Sequence, residues 1–216
     1  MNKLNLILSC IYPNYCGLCN KIDENGICKR CEIKLNQYKK YNIEIYKDIS
    51  FNMHISLFPY QGIIRDKLIE YKFQKKPYLA RMFATLIRRE ERVMKIINDY
   101  DYIIPVPIHK KRKQERGYNQ SELILRYTVL EKNKINANFL KKQINNLPQS
   151  SLNKEERKLN VKNVYTVENR QRNNLGNKTI LLFDDIFTTG NTVRECSNIL
   201  KQEGASIIDV LTIAKD

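Results

Sequence analysis

Between residues 179 and 205 the hydrophobic pattern changes period within a few positions. Ile180-Leu181-Leu182-Phe183 is a short, wholly apolar run, the signature of a strand buried on both faces in a parallel sheet. It ends in Asp184-Asp185. After the turn Ile186-Phe187 come Thr188-Thr189-Gly190-Asn191-Thr192, and then Val193, Cys196 and Leu200 recur at helical spacing up to Gly204. Thr192 and Glu195 match a capping box, which places the helix start at the end of the turn, and Gly204 suits the position just past the C-terminus. The unit predicted is strand, polar turn, helix.

The remaining elements fall around it. Alternation over 39–60, at Ile43, Ile45, Phe51 and Ile55, predicts a hairpin or small hood. Helices are expected over 63–71 and, as one long element, over 78–97, with Leu79, Phe83, Leu86 and Ile87 on one face and Arg88, Arg89 and Arg92 on the other. Tyr102-Ile103-Ile104-Pro105-Val106-Pro107 reads as a second short strand closed by prolines, running into a basic loop, Ile108 to Gln120. A helix over 121–131 and strands over 161–167 and 207–213 complete an α/β chain.

The chemistry of the 179–205 unit follows from its geometry. Free N–H groups and the dipole at a helix N-terminus favour an anion, and threonine hydroxyls add donors suited to phosphate oxygens. Asp184 and Asp185 would repel a bare phosphate but suit ribose hydroxyls and a magnesium ion held through water. A sugar phosphate satisfies both ends. The basic segment after the 102–107 strand lies on the same rim of an open α/β sheet, where Lys111, Arg112 and Arg116 would meet a pyrophosphate.

Four of the six cysteines form two C-x-x-C knuckles, Cys16 with Cys19 and Cys28 with Cys31. That spacing places four thiolates around one structural zinc, and Asp23-Glu24-Asn25-Gly26 offers the turn that closes the short gap. Cys196 falls on the apolar stripe of the last helix, as a small core residue. Cys10, in an apolar N-terminal segment too short for a secretory core, reads as packing. A boundary near residue 40 separates a 1–40 zinc module from a 41–216 domain.

Charge adds less than its size suggests. The net +15 points to polyanions such as nucleic acid, pyrophosphate or anionic lipid, yet a chain rich in Lys, Asn and Ile together acquires it from composition alone. Aromatic residues interleave with bases at Tyr71-Lys72-Phe73-Gln74-Lys75-Lys76-Pro77-Tyr78, which fits either a stacking platform for single strands or rings packed in the core. No stretch approaches a membrane span, so a cytoplasmic protein is expected, at most peripheral to a membrane.

Two resemblances sharpen this reading. The apolar strand, acid pair and Thr-Thr-Gly-x-Thr turn, with Asp184, Asp185, Thr188, Thr189, Gly190, Asn191 and Thr192, resemble the phosphoribosyl pyrophosphate (PRPP) motif of type I phosphoribosyltransferases. Pro105-Val106-Pro107-Ile108-His109, Arg112, Arg116-Gly117-Tyr118-Asn119-Gln120 and Leu123, joined to the four-cysteine knuckle and that motif, resemble the ComF family of competence-associated proteins over nearly the whole chain. Gln149, Arg157 and Asn160 stand where the family has a glutamine, an arginine and an asparagine.

The resemblance implies a type I phosphoribosyltransferase-like, mainly parallel sheet with helices on both faces. It also implies a role in DNA uptake during natural transformation, handling single-stranded DNA beside a helicase-like partner at the inner face of the cytoplasmic membrane. PRPP or a related sugar phosphate would bind with Mg2+. The alternative is an active transferase moving phosphoribosyl from PRPP to an acceptor, with Asp184, Asp185, Arg112 and Arg116 catalytic. Met1-Asn2-Lys3 offers no N-terminal nucleophilic cysteine, so a glutaminase activity is not implied.

Overall fold

The computed structural model describes residues 14–39, 41–46, 50–144, 164–168 and 175–216. The N-terminal apolar segment with Cys10, the polar positions Gln149, Arg157 and Asn160, and the first part of the expected 161–167 strand lie outside these residues. The strands are β1 (Asn42–Ile45), β2 (Met53–Pro59), β3 (Tyr102–Pro105), β4 (Leu140–Lys142), β5 (Tyr165–Val167), β6 (Thr179–Phe187) and β7 (Ile207–Lys215). Five of them form one sheet of order β1-β2-β7-β6-β3, while β4 and β5 make a separate antiparallel ribbon. Within the sheet β2, β7, β6 and β3 run parallel, and β1 closes one edge antiparallel to β2, as the expected hairpin.

The apolar runs become strands because both of their faces are covered. Leu181 and Phe183 of β6, Leu211 and Ile213 of β7 and Ile103 of β3 join one core. Their neighbours Ile180, Leu182, Ile208, Val210 and Ile104 join a second core on the opposite face. Period-two alternation therefore sorts one continuous apolar strand between two layers.

The first layer is built by helices α1 (Lys29–Asn36), α2 (Gly62–Phe73), α3 (Leu79–Arg88), α4 (Glu91–Asp99) and α6 (Gln120–Thr128), with α5 (Lys110–Arg116) preceding α6 in the chain. The second holds α7 (Asn191–Gln202) and the β4–β5 ribbon. Val193, Cys196 and Leu200 are buried on α7, and Gly204 follows its C-cap at φ +95°.

Four local expectations are corrected. The helix over 78–97 is two helices: 79–87 is buried on nearly every side, as a central helix must be, whereas 91–99 buries only Val93 and Ile97 and follows the surface. At the break, Arg89 pairs with Glu32 and Glu90 with Lys39. The basic loop contains a helix, α5, whose first turn is capped by the His109 side chain accepting from the Lys111 N–H at 3.2 Å. The β6 strand does not stop at the acids but continues through Phe187. The capping box does not form either: Gly190, at φ +75°, is the N-cap, and Glu195 accepts from the Val164 N–H at 2.9 Å.

The cysteine knuckle is fused to the first layer. Cys16, Ile27, Cys31 and Leu35 belong to the same core as Leu79 and Met82 of α3. A Cβ on Gly26 would stand 2.8 Å from that of Arg81 and 2.9 Å from the Met82 nitrogen, so only glycine allows the knuckle to lie this close to α3. The Thr85 hydroxyl donates to the Asn25 carbonyl at 2.6 Å across this contact.

Candidate functional site

The register of the sheet explains where a site can form. Pro105, the last residue of β3, pairs with Phe183, whereas β6 runs on beside β7 with Asp184 opposite Thr212 and Phe187 opposite Lys215. Past Phe183, therefore, β6 has lost its neighbour on one side. The crevice at the carboxyl ends of these strands opens there, the usual ligand position in open α/β sheets.

The segment following β3 is folded to wall this crevice. Gly117, at φ +91°, ends α5 with its N–H donating to the Lys113 carbonyl at 2.8 Å. Tyr118 then stacks on Tyr71, centroids 5.2 Å apart, and donates its hydroxyl to the Tyr71 carbonyl. Asn119 caps α6 by accepting from the Ser121 N–H at 3.1 Å while donating to the Val106 carbonyl at 3.0 Å. Along Arg116-Gly117-Tyr118-Asn119-Gln120 the residues thus serve in turn as cation, left-handed turn, anchor, cap and first helical residue.

A cavity of about 670 Å³ results, with Thr188, Thr192, Asp184 and Asp185 on its wall together with Arg112 and Arg116. Lys72, Lys75 and Lys142 add cations, so five basic side chains face three acids, counting Glu115. Thr189, Gly190 and Asn191 line a smaller hollow of about 20 Å³ at the α7 N-terminus, which Thr188, Thr192 and Asp184 also border. Lys111 is exposed on α5 and is not part of either wall.

The acids are not equivalent. Asp185 is buried, with the Lys72 ammonium 3.1 Å from its carboxylate. Asp184 accepts from the Ser121 hydroxyl at 3.2 Å and from the Asp185 N–H at 2.9 Å. Burial, followed by the charge of Asp185, pushes the Asp184 carboxyl up to about 7, against the pull of Lys72 and its two donors. A carboxyl held neutral in this way gains from an arriving cation or from hydroxyl donors. The pair fits a ribose diol or a hydrated Mg2+, which Asp184 and Asp185 would hold.

Two residues without any motif complete the wall. Lys72 sits in the basic-aromatic run but turns toward Asp185. Lys142 projects from the β4–β5 ribbon over the Tyr165 ring, 5.2 Å from its centroid. Burial, then Arg112, lowers the Lys142 ammonium, while Cys196, Asp184 and Glu195 raise it. Only the tertiary packing of the ribbon brings it to the crevice.

The Sγ atoms of Cys16, Cys19, Cys28 and Cys31 lie within 4.8 Å of one another. Cys19 and Cys28 are 3.7 Å apart, and none of the four is in a disulfide. Tetrahedral Zn–S bonds of ~2.3 Å require sulfur separations of about 3.8 Å. The cluster can hold a metal such as zinc. Among the described residues no helix is long and apolar enough to cross a membrane.

Sheet, acid-bearing strand, threonine turn and cysteine cluster define a phosphoribosyltransferase-like α/β protein with an N-terminal metal-binding knuckle. The chain is 27% identical over 206 residues to competence protein F of Haemophilus influenzae, covering 93% of this chain and 90% of that protein. It is 24% identical over 196 residues to competence protein ComFC of Bacillus subtilis, covering 90% and 74%. The chain belongs to the ComF family. It is also similar, at 27% identity over 119 residues, to the DNA utilization protein YhgH of Escherichia coli K12, covering 53% of this chain and 49% of that protein. No protein-family profile matches the chain.

Proposed function

We propose that the protein acts in DNA uptake during natural transformation, handling single-stranded DNA on the cytoplasmic side, with the crevice binding PRPP or a related sugar phosphate together with Mg2+. One observation supports the ligand above all: two segments far apart in the chain, the cationic run after β3 and the acid-threonine unit of β6, line one cavity of about 670 Å³. In this reading the 5-phosphate lies on the Thr188 to Thr192 turn and the ribose hydroxyls on Asp184 and Asp185. The pyrophosphate meets Arg112 and Arg116, with Lys142 across from them and Lys111 at the outer edge. The names of the relatives, competence protein and DNA utilization protein, support the DNA side. The net +15 supplies the electrostatic attraction.

On this account the protein works at the inner face of the cytoplasmic membrane beside a helicase-like partner, and zinc holds the knuckle. Calorimetric titration with PRPP and Mg2+ tests the crevice: the wild type binds and Asp185→Asn binds at least about tenfold more weakly, as expected when a charge-assisted contact is lost. Absence of PRPP binding by the wild type would sink the reading. For DNA, single-strand affinity should fall steeply as salt rises. Affinity that is flat between about 50 and 200 mM salt would remove the electrostatic argument.

A second reading, transfer of the phosphoribosyl group to an acceptor, draws on Arg112, Arg116 and Lys142 sharing a wall with the acid pair. Such cations stabilise the charge of a departing pyrophosphate. Pyrophosphate release above blank across an acceptor panel, abolished in Asp185→Asn, would favour it over binding alone.

A further inference from the structure

Three consecutive residues at the end of α2 take three different environments. Tyr71 is fully buried against Tyr118, and Lys72 reaches Asp185 at 3.1 Å. Phe73, which follows them, is 70% exposed, yet it stands on the wall of the crevice. With both preceding side chains anchored, the backbone that presents the ring is held in place. The guanidinium carbon of Arg116 lies 5.9 Å from the Phe73 ring centroid, and Arg116 lines the same wall.

A phenyl ring this exposed contributes little to the core, so its position calls for another explanation. An aromatic face paired with a guanidinium at the mouth of a phosphate-binding cavity is the chemistry that seats a nucleobase: the ring stacks on any base, and the cation adds attraction to the π system. The cavity, at about 670 Å³, lies within the ~300–1,000 Å³ range of small-ligand clefts and has room beyond a pentose phosphate. Lys75 lies on the same wall and offers a cation to a further phosphate.

We infer that Phe73 and Arg116 form a base-stacking seat in this crevice, so that its preferred ligand is a nucleoside 5′-phosphate rather than a bare pentose phosphate. The inference rests on the sugar-phosphate reading of the acid-threonine unit and adds the half of the ligand which that reading leaves unassigned. The nucleoside 5′-phosphate is either a free mononucleotide or the terminal residue of a DNA strand.

The test titrates the full chain with ribose 5-phosphate, AMP and oligothymidylates bearing a 5′-phosphate or a 5′-hydroxyl, using wild type, Phe73→Ala and Phe73→Trp. AMP should bind the wild type at least about tenfold more tightly than ribose 5-phosphate, from stacking alone. Phe73→Ala should bring AMP down to the ribose 5-phosphate level without changing ribose 5-phosphate itself, and Phe73→Trp should restore the difference. A 5′-phosphorylated strand that outbinds its 5′-hydroxyl counterpart, with the advantage lost in Phe73→Ala, identifies a strand end as the source. An effect confined to AMP identifies a free nucleotide. If ribose 5-phosphate and AMP bind equally, or Phe73→Ala leaves their ratio unchanged, the seat is refuted while the phosphate site stands. If neither binds, the underlying reading fails as well. The substitution is at an exposed ring, so thermal melts of all three proteins should coincide.

Discussion

The raised Asp184 carboxyl makes ligand binding in the crevice depend on pH in a range where most carboxylates no longer titrate. With its pKa pushed up to about 7 by burial and by Asp185, the group is about one-tenth ionised at pH 6 and about nine-tenths ionised at pH 8. A ligand that needs the carboxylate, whether through Mg2+ or ribose hydroxyls, should therefore bind about tenfold more weakly at pH 6 than at pH 8. The phosphate of the ligand titrates near pH 6 itself, so the informative quantity is the ratio of wild-type to Asp184→Asn affinity at each pH, in which that contribution cancels. Calorimetry in buffers of different ionisation enthalpy should also detect nearly one proton released by Asp184 per ligand bound at pH 6 and almost none at pH 8. Stability gives an independent readout. The folded pKa lies above the unfolded value near 4, so Asp184 favours the fold at low pH and that contribution is lost as pH rises through about 7. Asp184→Asn should then gain stability over wild type at pH 8, with the gap closing toward pH 5. An affinity ratio that is constant from pH 5.5 to 8 would refute the assignment of a buried, cation-hungry carboxyl.

Three other perturbations test the framework around the crevice. Cys28→Ser should release the bound metal and lower the melting temperature of the whole chain in a single transition, because the knuckle and α3 share one core; retained stoichiometric metal or two separate melts would contradict that. Gly190→Ala forces a left-handed residue, at about 1–2 kcal/mol, and drives a Cβ to within 2.7 Å of the Phe187 ring; denaturant titration showing no loss would sink the claim that this turn needs glycine. Tyr71→Phe removes the hydroxyl that donates to the buried Gln120 carbonyl at 3.0 Å, for a loss of about 1–3 kcal/mol, and a change under about 0.5 kcal/mol would show that water replaces it.

How far the chain can be read in advance depends on whether a feature is fixed locally or by partners. The apolar run at 180–183, the helical spacing of Val193, Cys196 and Leu200 and the paired C-x-x-C knuckles each encode their surroundings within a few residues, and the fold agrees with them. The pairing of Ile43 with Ile55 likewise follows from the alternation. The basic run at 110–116 is locally legible too, as a helix: Lys, Arg, Gln and Glu are good helix formers, and a cap at His109 with Gly117 just past the end are ordinary boundary signals. Its dense charge and lack of an apolar stripe mask that propensity.

Other features belong to tertiary structure alone. Whether β6 ends at Phe183 or at Phe187 depends on β7 continuing beside it, and Glu195 leaves Thr192 because the Val164 N–H is within reach. Tyr71 and Phe73 are similar aromatics two residues apart, yet one is buried and the other 70% exposed, because Tyr118 meets the first and Arg116 the second. Lys142 reaches the crevice through a ribbon whose partner strand, β5, is distant in the chain.

The same dependence explains why the crevice is polar where the strand that builds it is apolar. As long as β6 has β3 on one side and β7 on the other, its side chains enter two dry cores and must be hydrocarbon. Once β3 leaves at Pro105, the next residues of β6 face open space on that flank, and carboxylates become tolerable if cations stand opposite. Lys72, Arg112, Arg116 and Lys142 arrive from three separate parts of the chain and meet that condition. Extending β3 by two paired residues would close the gap, bury Asp184 and Asp185 without room for a ligand and remove the reason for the cationic wall. The early departure of one edge strand is therefore what converts a strand end into a binding site.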